Sequence, residues 1–105
     1  MKFECPINSF VRGEYKRSSD AHRLSVAELQ EVLSYENISE KFDYCDWYGN
    51  CQPVTATISS VERNGDFLLF TVQVDKKIPA HYIPTPFQIM EGKGLLAPVS
   101  CSPIN

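Results

Sequence analysis

The chain holds 105 residues, 43% hydrophobic and 22% charged, with ten Lys and Arg against thirteen Asp and Glu for a net charge of -3. Six Phe, five Tyr and one Trp can build a core, which excludes a disordered chain. A domain commonly takes roughly 100 to 200 residues, so residues 1–105 are read as a single domain. The pI near 5.3 argues against nucleic-acid binding, which needs clustered Lys and Arg on one surface.

The N-terminus, Met1-Lys2-Phe3-Glu4-Cys5-Pro6, carries an acid at its fourth position and no apolar run long enough for a signal-peptide core or a membrane span. This predicts a cytoplasmic protein with no membrane association. Cys5, Cys45, Cys51 and Cys101 are then expected as free thiols, because disulfides rarely persist against a reducing glutathione pool. They are expected to hold no metal, since there is no Cys-x-x-Cys pair and no histidine near Cys45 or Cys51. A meeting of Cys5 with Cys101 stays open, because terminal strands often pair.

Phe3 to Cys5, and Phe10 to Tyr15, read as short strands. Arg12, Lys16, Arg17 and Arg23 then outnumber Glu14 and Asp20, a basic stretch read as a solvated loop. Next comes the clearest element, a helix from about Ser25 to Tyr35. Ser25 and Glu28 form a capping box, Leu24 and Leu29 stand at the staple positions, and Val26, Leu29, Val32 and Leu33 recur at helical spacing. Asn37 is a plausible stop. A helix this short must pack on something to persist.

Residues 36–51 are the oddest in composition and read as a loop, with Tyr48-Gly49-Asn50 as its turn. Tyr35, Phe42, Tyr44, Trp47 and Tyr48 interleave with Glu36, Glu40, Asp43 and Asp46, suiting a cationic protein surface or a small ligand through ring contact and cation-π attraction. The competing reading buries Phe42 and Trp47 beneath the helix.

Val54 to Val61 and Phe67 to Val74 form the strongest hairpin signal, turning at Arg63-Asn64-Gly65-Asp66. A three-residue loop is expected, because it sets Val54, Ala56 and Ile58 opposite Val74, Val72 and Phe70 and collects the apolar residues on one face. Pro79, Pro84 and Pro86 make the following stretch irregular. Within it, His81 and Tyr82 are candidate pocket residues. Phe87 to Met90 and Leu95 to Cys101 read as final strands around the turn Glu91-Gly92-Lys93-Gly94, with Pro98 placing the last one at an edge.

The expected fold class is α+β, one helix packed on a curled, mainly antiparallel sheet or a small barrel. The expected function is that of a non-catalytic interaction or ligand-binding domain with candidate residues Tyr44, Trp47, Tyr48, His81 and Tyr82. No cofactor, catalytic set or metal site is expected. Two alternatives stay open: a small enzyme using His81 or a cysteine in a cleft between helix and sheet, and a structural domain that forms a homodimer through a strand edge.

Overall fold

The computed structural model describes residues 1–12 and 18–104. Among the described residues seven strands and two short α-helices follow in order: β1 Lys2–Pro6, β2 Phe10–Arg12, α1 Val26–Leu33, β3 Ser39–Cys45, β4 Cys51–Asn64, β5 Phe67–Val74, α2 Pro86–Met90, β6 Leu96–Pro98 and β7 Ser102–Ile104. A main sheet of five strands runs β3-β4-β5-β1-β7, every pair antiparallel, and β2 with β6 makes a separate antiparallel pair. Among the described residues the main sheet keeps two edges, β3 and β7, and is not closed, so the barrel alternative does not hold. β7 cannot extend the closure, since it has three residues and its Pro103 lacks an amide to donate.

Core formation follows from alternation along the strands. Phe3 and Cys5 of β1, Ala56 and Ile58 of β4, and Leu68, Phe70 and Val72 of β5 all turn to one face of the sheet. Against that face pack Val32 of α1, Ile89 and Met90 of α2, and Phe10, Leu96 and Ala97 of the small sheet. Helix α1 starts as expected: Ser25 Oγ accepts from the Glu28 amide at 3.2 Å, and Glu28 accepts from the Ser25 amide at 2.9 Å. It ends at Leu33 with Ser34 as its C-cap, and Asn37 at φ 74° turns the chain toward β3 rather than stopping the helix itself. Val26 is 77% exposed and leaves the apolar stripe to Leu29, Val32 and Leu33.

Five expectations require correction. The β4–β5 hairpin closes through a two-residue loop, Gly65-Asp66, pairing Asn64 with Phe67, not through the three-residue loop. Gly65 at φ 63° supplies the left-handed residue that such a tight turn requires. The apolar match is recovered by a bulge: the register shifts between Ile58 and Ser60, so Ile58 meets Val72 and Val61 meets Phe70, and both β4 residues are buried. Thr71 satisfies the extra residue, accepting from Ser59 Oγ at 3.3 Å through its carbonyl and hydrogen-bonding Ser60 Oγ at 2.9 Å.

Phe87 to Met90 lie in helix α2, not in a strand, so the one-helix expectation also fails. Thr85 caps it, Pro86 occupies the first turn, and Gln88 Oε1 accepts from the Thr85 amide at 2.9 Å. Residues 36–51 are not a loop either, since β3 fills Ser39–Cys45. Finally, the cysteines are not free thiols. Disulfides join Cys5 to Cys101 and Cys45 to Cys51. Cys45 and Cys51 face one another across the β3–β4 ladder, with Cα atoms 4.0 Å apart. Cys101 reaches Cys5 because Ser102, the next residue, pairs with Glu4. Of the expected strand at Phe10 to Tyr15, residues 10–12 form β2 and the remainder lies outside the described residues.

The basic stretch is absorbed locally where it is described. Arg12 donates to Glu31 at 2.7 Å, His22 lies 3.1 Å from Glu28, and Arg23 lies 3.5 Å from Asp66. Glu31 also accepts from the Tyr35 hydroxyl at 2.6 Å, and Tyr35 accepts from the buried Leu96 amide at 3.0 Å. Burial and then the hydrogen bond to Glu31 push the Tyr35 hydroxyl up to about 12. The hydrogen bonds from Arg12 and Tyr35 hold Glu31 below the usual carboxylate range.

Candidate functional site

Strand β3 alternates. Glu40, Phe42 and Tyr44 turn to the half-buried inner side, and Lys41, Asp43 and Cys45 stand on the exposed one. The five residues between Cys45 and Cys51 make the tip of the hairpin, closed by the Cys45–Cys51 disulfide. Asp46 organises this tip. One oxygen of its carboxylate accepts from the amides of Tyr48 and Asn50, each at 2.9 Å, and its own amide donates to the Asn50 carbonyl at 2.9 Å. Gly49 at φ 82° completes the turn and donates to the Asp46 carbonyl at 3.1 Å.

The result is a fixed turn that leaves two large rings in water. Trp47 is 95% exposed and Tyr48 is 86% exposed. The alternative that buries Trp47 beneath the helix is therefore excluded, whereas Phe42 does pack against the core.

The remaining candidates form a second group. Tyr44 and Tyr82 meet edge to face with centroids 5.1 Å apart, and the His81 ring lies 4.3 Å from Tyr82. A short 3₁₀ turn over Ala80–Tyr82 presents both residues. The five candidates thus divide into the tip pair, Trp47 and Tyr48, and the trio Tyr44, His81 and Tyr82 at the flank of the same hairpin. The groove beside them, about 510 Å³, includes Tyr82 and is otherwise bounded by Glu40, Lys41, Phe42, Pro84, Gln88 and Glu91. At its rim Lys93 pairs with Glu40 and also donates to the Ile89 carbonyl at 2.6 Å.

Sequence reasoning missed the groove residues Phe42, Glu40 and Gln88 as a set. The alternation in Glu40-Lys41-Phe42-Asp43-Tyr44 was the available signal for a strand with one inward face. Because all four cysteines are paired, the thiol that a Cys-His nucleophile needs is consumed. Among the described residues no three His, Cys, Asp or Glu side chains gather as a metal site would require, and no helix is long and apolar enough to cross a membrane. Comparison with protein-family models, with curated proteins and with solved structures finds no match for this chain.

Proposed function

We propose that this protein is a non-catalytic recognition domain whose β3–β4 hairpin tip presents Trp47 and Tyr48 as paired anchors for a partner with cationic character. The observation that carries this reading is the exposure of both rings on a turn clamped by Cys45–Cys51 and by Asp46. Leaving such area in water is unfavourable for the isolated chain, and rings held in a rigid turn lose little conformational entropy on binding. Trp faces attract guanidinium and ammonium groups. Asp46 is engaged in building the turn, so the attraction for a cation is carried by the two rings and by the net charge of -3. Tyr44, His81 and Tyr82 extend the contact surface along the flank.

The two disulfides support an oxidising compartment over the cytoplasm suggested by the N-terminus. A single folding unit over residues 1–105 is supported by one hydrophobic cluster that draws on both sheets and both helices. The test is a titration followed by Trp47 emission, with an oligo-arginine peptide and an oligo-glutamate peptide as probes. Saturable quenching by the first, weakening with added salt and absent with the second, is expected. Equal response to both probes, or none, would contradict the proposal.

A further inference from the structure

The two edges of the main sheet differ in a way that bears on association. β7 is three residues long and carries Pro103, a combination that blunts an edge. β3, at the other edge, has seven residues without a proline or a bulge. Its hydrogen-bonding parity can be read directly. Asp46 donates to the Asn50 carbonyl at one end, and Ile58 donates to the Ile38 carbonyl at the other. Pairs in an antiparallel ladder alternate between bonded and non-bonded, so Glu40, Phe42 and Tyr44 turn their backbone groups to β4. Ser39, Lys41, Asp43 and Cys45 turn theirs outward, where no partner is found among the described residues.

The charges along this edge are just as uneven. Glu40 on the inner side is neutralised by Lys93. Lys41 and Asp43, two apart on the outer side, have no ion-pair partner among the described residues. Phe42 lies between them and is the middle residue of β3.

We infer that β3 is the docking edge for a second copy of this chain, the two β3 strands pairing antiparallel about a two-fold axis at Phe42. Register and charge select this arrangement together. Outward-facing residues must pair with outward-facing residues, so the axis falls on 41, 42 or 43 for any substantial overlap. An axis at 41 sets Lys41 against its own copy, and an axis at 43 sets Asp43 against its own copy. Only the axis at 42 places Lys41 opposite Asp43 of the partner, twice by symmetry, with Ser39 opposite Cys45. Directly opposed unlike charges stabilise a strand pair and like charges destabilise it. This register closes about eight backbone hydrogen bonds between the copies, as follows from two per bonded pair. It also sets Tyr44 opposite Glu40 of the partner on the inner side. The groove of about 510 Å³ between this edge and Tyr82, Pro84, Gln88 and Glu91 of the same chain is the space that partner side chains on the inner face would enter. The interface is isologous, as a closed dimer requires. It sends the two hairpin tips to opposite ends of the joint, about 30 Å apart by strand rise, so both copies keep Trp47 and Tyr48 free.

A charge-reversal set tests this by sedimentation equilibrium, with amide hydrogen exchange on the same samples. Wild type should dimerise with concentration, and the amides of Lys41 and Asp43 should become protected as it does. Lys41→Asp alone and Asp43→Lys alone should each weaken the dimer at least about tenfold, since each replaces two attractive pairs by two repulsive ones. The double exchange Lys41→Asp with Asp43→Lys should restore it. Far-UV circular dichroism checks that each variant folds, and the edge position of both side chains leaves the β3–β4 ladder intact. Trp47→Ala should dimerise as wild type does, which separates this inference from the role of the tip. A monomer at millimolar concentration, or a dimer unmoved by either reversal, or one whose Lys41 and Asp43 amides stay unprotected, would overturn it.

Discussion

Replacing Cys5 and Cys101 together by Ala should cost about twice the free energy that the same change costs at Cys45 and Cys51. The Cys5–Cys101 link closes 96 residues of chain and the Cys45–Cys51 link closes 6. The loop-closure expression gives about 4.7 kcal/mol for the long link and about 2.2 kcal/mol for the short one. Residual structure in the denatured state lowers both figures, so about 4 and about 2 kcal/mol are the working expectations. Native-state effects act in the same direction. Cys5 is fully buried in the core, whereas Cys45 and Cys51 are exposed, so only the first pair leaves a void when sulfur is removed. The long link also holds β7, which pairs with β1 over only three residues. The assay is urea denaturation followed by far-UV circular dichroism, because Trp47 is too exposed to report on burial. The variant lacking Cys5–Cys101 should also show a steeper urea dependence, since its unfolded chain exposes more surface. Equal losses from the two pairs, or a greater loss from Cys45–Cys51, would show that neither loop length nor burial of Cys5 sets the cost.

Val32→Ala should destabilise by about 2 to 3 kcal/mol because Val32 is fully buried, whereas Val26→Ala, at an exposed position of the same helix, should fall within about 0.5 kcal/mol of wild type in thermal or urea unfolding. Tyr35→Phe removes the acceptor for the buried Leu96 amide and should cost about 1 to 3 kcal/mol. In spectrophotometric titration Tyr35 should ionise near 12, above its ordinary value of 10.0. A folded-state value raised in this way contributes stability that is complete below the ordinary value and is lost as pH rises toward 12, a loss that Tyr35→Phe should lack. At the acid end, Glu28 and Glu31 are both held below the ordinary 4.5, so their contribution is complete above that value and declines as pH falls. Acid unfolding of Glu31→Gln should show a weaker pH dependence than that of wild type.

Local signals were legible wherever they were self-contained. The Ser25 and Glu28 capping box, the two strands around Gly65 and the strand at Phe3 all stand close to where the sequence places them. The mixed sheet-and-helix composition was legible as well, since the structure is mostly antiparallel sheet with two short helices. What was not legible depended on partners distant in sequence or on one inserted residue. The bulge at Ser59 and Ser60 converts an unfavourable register into an apolar match, and the alternation broken between Ile58 and Val61 was its only local trace. The Thr85-Pro86-x-Gln88 cap marks a helix by the same chemistry as Ser25 and Glu28, yet the apolar run after it resembles a strand over so few residues. The disulfides were obscured by an inference about compartment. Cys45 and Cys51 bracket a turn symmetrically, and once residues 39–45 are taken as a strand they fall opposite each other. Among the candidate site residues, the exposure of Trp47 and Tyr48 agrees with their place in a turn rich in polar residues, whereas the contact of Tyr44 with Tyr82 arises only from the return of a segment nearly forty residues later.

Recognition through a rigid aromatic tip is tested most directly by mapping amide resonances by NMR while an oligo-arginine peptide is added to the oxidised protein. Shifts should concentrate at residues 46–50, with smaller ones at His81 and Tyr82, and should be lost when Trp47 and Tyr48 are both replaced by Ala. Shifts centred instead on the polar face of Thr55, Thr57, Gln73 and Asp75, or a tip that stays unperturbed as the peptide binds, would contradict it.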